Sequence, residues 1–366
     1  MNVQLGFILW LLWLNTHSKE NVFQPEVIID RLEKAATWQS HNPAPFGELE
    51  WHWAPYYMGL TDLYEITEDE NYLQTILDVG IQNNWKIGPR KYHADDHAVG
   101  LSYIKIYQLT KNPQTISKLK GEFDWILANP PEKTIQGEDG KIRLRYNRER
   151  WNWSDALYMA APVWTGLGAV TEEKKYLDYM IQEWKQSHEW YWSEKDSLYF
   201  HDKRDISKVS PGGQKVFWAR GDGWVMAALV EVLQFLPKDH SERDYFIGVF
   251  KKMAAKLIRI QKVNGTWAPS LLDPLHPDQD DISGSVFFVY GLAWGINNGI
   301  LDHNNYESHV RKGWEALCER QKPNGRLINI QPVGGYPVAF DPETTAVFGV
   351  GGFLSAGSEV WKMVQR

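Results

Sequence analysis

One recurrence restricts how this chain can fold more than any other feature. Gln261-Lys-Val-Asn264-Gly265 returns 60 residues later as Gln321-Lys-Pro-Asn324-Gly325. Asn-Gly after a helix is a C-cap signal, because both residues tolerate positive φ. A second pattern also repeats: a polar turn leads into Tyr or a hydrophobic residue that opens the next helix, at Tyr64 to Tyr72, Ala169 to Tyr176 and Ile300 to Tyr306. Around these turns apolar residues fall at helical spacing. They predict helices near 27–36, 53–66, 70–84, 97–109, 114–128, 155–170, 174–188, 219–236, 243–262, 282–299, 304–321 and 344–363. Only 142–146 and 326–330 read as strands. Six helical hairpins of this period fill the chain. An open solenoid would need polar repeats at its ends. Here residues 346–356 are apolar and glycine-rich close to the terminus, which suits burial in a closed ring. The expected fold is all-α, an (α/α)6 toroid, as one domain over residues 19–366. Turns at one end of such a ring meet around a central cavity.

Residues 1–18 differ from the rest. Leu5 to Leu14 is an apolar run too short to span a bilayer. Thr16-His-Ser18 follows, with small residues where a signal peptidase reads. A secretory signal cleaved after Ser18 is expected, hence a secreted or periplasmic chain with no membrane contact after cleavage. The run is preceded by no Lys or Arg, so an uncleaved anchor is the alternative. The net charge of −7 comes without a basic block, which argues against a nucleic-acid partner. Cys318 is the only cysteine, so no internal disulfide can form. His52, His93, His97, His188 and His201 are scattered, and no HExxH or Cys/His ligand spacing occurs. No metal and no other cofactor is expected, and a monomer is the expected assembly.

Three segments suit the cavity rim. Arg150 to Pro162 sets Asp155 among Trp151, Trp153 and Tyr158 at the start of an apolar helix. Flat aromatic faces stack on sugar rings, and a carboxyl held against apolar surface keeps its proton more readily. That is the minimum equipment for acid catalysis on a carbohydrate; the plainer reading is that Asp155 only caps its helix. In Tyr92 to Gly100, Asp95 and Asp96 open a helix, one able to cap it while the other faces the cavity. Both are otherwise first-turn acids favoured by the helix dipole. Gly100 leaves room for a close approach. In Val216 to Leu229, Arg220 sits among glycines and between Trp218 and Trp224. A guanidinium offers a planar fork to a carboxylate, unless Asp222 simply pairs with it. His201 is a weaker candidate. Carboxylates, a cationic fork and aromatic walls, in a chain with 19 Trp and 17 Tyr, point to an acidic oligosaccharide as partner.

The segments 153–162, 218–228, 283–299 and 350–360 resemble signature stretches of the unsaturated rhamnogalacturonyl hydrolases, glycoside hydrolase family 105. The likeness spans residues 25–364. Family 88, the unsaturated glucuronyl hydrolases, shares that fold and mechanism and is the nearest competitor. The resemblance implies an (α/α)6 barrel that removes a 4,5-unsaturated uronic acid from the non-reducing end of lyase products. An Asp protonates C4, water adds at C5, and the hemiketal opens to release the next sugar. By motif, Asp155 would be that acid and Asp96 the second carboxylate, with adjacent Asp95 as the other choice. Arg220, Trp218, Trp224 and His201 would contact substrate, and Trp153 would add a stacking face. The family's usual next sugar is rhamnose, from ulvan or pectic rhamnogalacturonan. Lys86, Arg90 and Lys91, just before the Asp96 motif, offer a basic pocket for sulfate. Three rivals remain: a histidine-based sugar epimerase of the same toroid class, a non-catalytic sugar-binding toroid, and a two-carboxylate glycosidase acting on saturated sugars.

Overall fold

A computed structural model describes residues 21–131, 134–136, 142–144 and 150–366. Residues 1–18, read above as a signal, lie outside them. The helices are, in chain order, α1 (Pro25–His41), α2 (Ala54–Thr67), α3 (Glu70–Gln82), α4 (Ala94–His97), α5 (Gly100–Thr110) and α6 (Gln114–Ala128). After two short paired strands, β1 (Thr134–Gln136) and β2 (Ile142–Leu144), come α7 (Ala156–Met159), α8 (Ala161–Thr171) and α9 (Lys174–Tyr191). A second pair, β3 (Trp192–Ser193) and β4 (Leu198–Tyr199), precedes α10 (Ala219–Phe235), α11 (Arg243–Ile260), α12 (Ile282–Asn297), α13 (His303–Glu319) and α14 (Val347–Val364). The expected helices near 97–109 and 155–170 are each interrupted once. Pro162, at the start of α8, cannot continue the hydrogen-bond ladder of α7. The strand expected at 326–330 is reduced to one bridge, Gln321 to Leu327.

Six inner helices close a ring. Going round it, α2 packs on α5, then come α8, α10, α12 and α14, and α14 returns to α2. Outer helices α3, α6, α9, α11 and α13 each pack on the inner helix before them, while α1 packs on α14 and completes the last hairpin. Burial follows this division. Every residue of α12 is buried, whereas α13 buries only a stripe from Val310 to Cys318. A helix apolar all round belongs inside, and an amphipathic one outside. The glycines of α14 are what let the ring shut. A side chain at Gly351 would lie 2.3 Å from the Pro55 carbonyl, and one at Gly59 would lie 2.6 Å from the Gly351 oxygen.

Both sequence repeats have structural counterparts. Thr67-Glu68 and Thr171-Glu172 end α2 and α8 alike: the threonine hydroxyl bonds back one turn, and the glutamate takes left-handed φ of 58°. The Asn-Gly pairs are not C-caps. They lie in tight turns beyond the helix ends, with Gly265 at φ 88° and Gly325 at φ 90°. Each turn docks on the next outer helix, Gly265 against Lys312 of α13 and Gly325 against Lys34 of α1.

Because each hairpin returns the chain to the same face, all six inner helices start at one end. The connections there are long (42–53, 83–93, 129–155, 192–218, 261–281 and 320–346); those at the other end are short. Long connections on a rigid ring are where function concentrates.

Two acids are buried toward the other end. Asp62 and Glu231 are shut from solvent, and the Asp62 Oδ2 and Glu231 Oε2 atoms have no hydrogen-bond partner. Burial first, then repulsion from Glu231, pushes the Asp62 carboxyl well above the usual carboxylate range. Burial pushes Glu231 the same way. A carboxyl that protonates more easily folded than unfolded stabilises the fold fully below the unfolded pKa, and this contribution is lost as pH rises through the folded value. The melting temperature is therefore expected to fall as pH climbs from about 4, the ordinary carboxylate value, toward neutrality. Asp62→Asn should flatten that slope in a thermal-melt series.

Candidate active site

Asp155 occupies the N-cap position of α7, yet its side chain makes no capping hydrogen bond, so the plainer reading does not account for it. Its carboxyl instead accepts a hydrogen bond from the Ser154 hydroxyl at 3.2 Å and faces Nε2 of His201 at 3.6 Å. The preceding segment is fastened to α9. Arg150 grips Glu183 with two bonds of 2.6 Å, the Ser187 hydroxyl bonds the Trp151 carbonyl, and Tyr191 donates to the Asn152 carbonyl at 2.9 Å. The Ser154 N–H then bonds the His201 carbonyl at 2.8 Å, which ties the two segments together. Gly221 of α10 leaves the space they need: a Cβ there would sit 3.1 Å from Ser154 Oγ and 3.7 Å from the Asp155 carboxyl.

His201 is buried, with its Nδ1 3.6 Å from Asp202 Oδ2 and 3.7 Å from Asp205 Oδ2. Burial alone would lower its pKa. The charge of Asp155, with the Asp202 and Asp205 carboxylates nearby, outweighs burial and holds it above the ordinary imidazole value. Asp222 does not pair with Arg220. Its carboxyl accepts the Tyr199 N–H at 2.8 Å and so fixes the strand leading into His201.

Arg220 is fully buried, and its two terminal nitrogens are held mainly by one loop, with the Ser283 hydroxyl of α12 3.4 Å away. It donates to the carbonyls of Gln331 and Pro332, the latter at 2.8 Å, while the guanidinium lies between the rings of Trp218 and Phe348, at 4.3 and 4.9 Å. Burial lowers its pKa to about 10, against the charges of Asp281 and Asp155. Trp218 sets its ring edge against His201, 5.3 Å between centroids. Trp224 lies deeper, packed on Tyr158 and Phe287 with no exposed surface. Trp151 turns away toward Tyr179, so the expected aromatic wall at Asp155 reduces to Trp153, whose ring lies 5.2 Å from His93. Trp51, stacked on Phe348 at 5.5 Å, joins the rim. Trp51 is among the turn tryptophans able to line a rim, whereas Phe348 does not stand out among so many aromatics in the sequence.

The two adjacent acids diverge. Asp96 is buried and folds back on its own loop, accepting the Arg90 N–H at 2.7 Å and the Arg90 guanidinium through both oxygens. Asp95 stays partly open, its carboxyl 3.6 Å from His93 Nδ1, on the imidazole that leans on Trp153. Gly100 makes room for Val163 and Leu119 of neighbouring helices rather than for a ligand. Of the basic trio, Arg90 is held by Asp96, and Lys91 by Glu122 and the Trp125 ring. Among the described residues one set of metal-type ligands converges, His201, Asp202 and Asp205, with ligand atoms within 4.8 Å of one another. Arg204 and Lys208 already sit on those two carboxylates.

The arrangement offers a carboxyl beside a buried histidine ring, aromatic faces, and six helix N-termini whose dipoles favour an anion. Comparison with known proteins agrees with it. Across 350 residues the chain is 34% identical to a protein of Alteromonas sp. (strain LOR) named Unsaturated 3S-rhamnoglycuronyl hydrolase, covering 90% of this chain and 84% of that one. A solved structure of a glycosyl hydrolase family 88 protein from Bacteroides vulgatus matches with a TM-score of 0.83 at 26% identity, over 93% of this chain and 99% of the other. A family 105 glycoside hydrolase from C. acetobutylicum ATCC 824 shares the fold, with a TM-score of 0.74 at 20% identity over 91% and 98% of the two chains. The family model described as Glycosyl Hydrolase Family 88 matches residues 24–364. The fold is the six-hairpin toroid expected from the repeat, and the chain, a glycosidase, belongs to Glycosyl Hydrolase Family 88.

Proposed function

We propose that this enzyme removes a 4,5-unsaturated uronic acid from the non-reducing end of lyase-generated oligosaccharides by hydrating the C4–C5 double bond. The observation that carries the reading is Asp155. Its carboxyl makes no capping bond to its own helix, lies beside the His201 ring, and stands where the inner helices begin. Asp155 gives its proton to C4, the ring oxygen shares the charge left at C5, and water adds there while returning a proton to Asp155. The hemiketal at C5 then opens and frees the next sugar. One acid and one water suffice, so no nucleophile and acid pair is needed.

In this reading Asp95, not Asp96, helps place sugar and water, because the Arg90 fork occupies Asp96. Asp95→Asn is expected to lower kcat/KM by about 100-fold, within the range for positioned acid–base groups, with little change in unfolding midpoint. Asp96→Asn should mainly cost stability, about 1–3 kcal/mol for disturbed hydrogen bonds to a buried carboxylate. A kinetic loss confined to Asp96→Asn would reverse the assignment.

Rhamnose is the expected next sugar, and the 3S-rhamnoglycuronyl substrate in the Alteromonas protein's name favours a sulfated one, as in ulvan. Lys86 is then the member of the basic trio that no carboxylate holds among the described residues. Export by the N-terminal segment fits such a substrate, since large polysaccharides are cut outside the cell. The test is loss of the ultraviolet absorbance of the conjugated double bond. Lyase-digested ulvan, its desulfated form, lyase-digested rhamnogalacturonan and unsaturated glucuronyl disaccharides are the four substrates. Fastest loss with sulfated ulvan fragments supports the whole reading; no loss with any of the four rejects hydration.

A further inference from the structure

Beside the active site, the mouth of the ring carries a second concavity. Val209, Pro211, Leu275, Pro277, Tyr336 and Val338 line a groove of about 610 Å³, within the range of small-ligand sites. It is built from the connections 192–218, 261–281 and 320–346, all of which lie at the end where the inner helices start. Asp273 sets its shape. The carboxyl accepts from the Ser210 hydroxyl and from the Gly212 N–H at 2.9 Å, and it meets the His276 ring at 3.0 Å, so two of the three loops are clamped together. The groove shares its walls with the active site. Gly335 lies so close to the His201 ring that a Cβ there would come within 2.8 Å of it, and the next residue, Tyr336, faces the groove. Val216 lines it two residues ahead of Trp218, whose ring edge meets His201. The Gln331 amide accepts from Trp218 Nε1 at 3.3 Å and donates to the Tyr336 carbonyl at 2.8 Å, which holds the two walls in register. Val209, Leu275 and Val338 are 65%, 64% and 49% exposed. Aliphatic side chains left open together mark a surface that binds something. Lys208 stands at the edge, its Nζ 4.7 Å from the Tyr336 ring centre. One of its three donors reaches Asp205 at 2.8 Å, and the side chain is open enough for the others to meet an anion.

We infer that this groove binds the part of the oligosaccharide beyond the bond that is cut, with the C–H faces of its sugars on Leu275, Val209, Val338 and Tyr336 and an acidic group at Lys208. The inference rests on the proposed substrate and deepens it. In a lyase product the unsaturated ring is the terminal one, so every other sugar lies to one side of it. The inward direction is shut, because Trp224, Tyr158 and Phe287 pack the interior of the ring. The remaining sugars leave through the mouth, and the groove continues the cavity wall there. Its make-up suits an anionic chain: apolar side chains cover C–H faces, the tyrosine ring adds a flat platform, and the ammonium meets a carboxylate or sulfate. A protein seated on the groove would also stand over the cavity mouth and obstruct its substrate.

The test compares the unsaturated disaccharide with the unsaturated tetrasaccharide from the same ulvan digest. Wild-type kcat/KM should be about tenfold higher for the tetrasaccharide, the low end of what one apolar contact adds in a pocket. The gain should lie in KM, because contacts remote from C4 and C5 are alike in ground and transition states. Leu275→Asp puts an anion in the groove and should erase the gain while leaving the disaccharide rate unchanged; Val209→Asp is the independent second variant. Calorimetric binding to Asp155→Asn should show the same preference for the longer chain, and the same loss once Leu275→Asp is added. Equal KM for both lengths in the wild type overturns the inference whether or not a variant folds. A preference that survives both aspartates overturns it too, and puts the longer chain elsewhere on the rim. A dimer seen by light scattering that Leu275→Asp splits, with no length preference, gives the groove to a second copy of the chain. Turnover of neither length by the wild type defeats hydration, while the calorimetric preference still decides what the groove binds.

Discussion

Asp155→Asn should leave the ultraviolet absorbance of unsaturated oligosaccharides undiminished while the protein stays folded. The loss in kcat is expected to be on the order of 10³-fold, within the range for removal of a positioned general acid. Asparagine keeps the shape of the side chain and can still accept from the Ser154 hydroxyl, so the loop and helix starts have no reason to move. What it cannot do is release a proton to carbon. Substrate affinity should persist, because the carboxylate of the sugar is attracted by the helix N-termini and by His201 rather than by Asp155. The comparison also separates the rivals. An epimerase working through histidines would survive Asp155→Asn and fail on His→Ala changes. A two-carboxylate glycosidase would fail with Asp155→Asn, yet the wild type would cleave saturated substrates. A binding module would show no turnover in either form. Equal unfolding midpoints for wild type and variant would exclude a folding defect.

The ring was legible because its devices are local and repeated. Helical spacing, the Thr-Glu turns and the apolar run of α14 each report a hairpin or its burial without knowledge of distant residues. The ring contacts between α14 and α2 then follow from glycines visible in the chain. Asp155 was legible too, through its place at a helix start among aromatics. Less could be read of what each side chain does there. Arg220 read as a free fork, but its terminal nitrogens donate to carbonyls of a loop more than 100 residues on. Such long-range carbonyl contacts leave no pattern in composition or spacing. Asp95 and Asp96 are one residue apart, so only the position of Arg90 separates them. Trp224 and Trp151 carried the same signal as Trp153, yet they pack on Phe287 and Tyr179 while Trp153 faces His93. Phe348 reaches the rim from the far end of the chain, where it meets Trp51, and drew no notice among so many aromatic residues.

Arg150→Met is expected to destabilise the protein by about 3–5 kcal/mol, the usual penalty for stranding one member of a buried ion pair. Arg150 and Glu183 have side chains 5% and 2% exposed and share two short, parallel bonds. Without the guanidinium the Glu183 carboxylate has no other ion-pair partner among the described residues and little access to water. Total stabilities of about 5–15 kcal/mol make that a large fraction of the whole. The urea midpoint, followed by the fluorescence of the 19 tryptophans, is the measurement. The double variant Arg150→Met with Glu183→Leu should recover most of the loss, because an apolar pair of similar volume avoids the desolvation that the ion pair must overcome. A single variant as stable as wild type would show that water reaches Glu183 and that the pair is not sealed. Activity adds a second reading. The pair pins the chain just ahead of Asp155, with Ser187 and Tyr191 holding the next two residues. If the apolar pair restores the midpoint but kcat stays low, the directional grip of two parallel bonds is what sets the acid in place. If kcat returns with the midpoint, close packing against α9 is enough, and the ion pair matters to Asp155 only by keeping the segment folded.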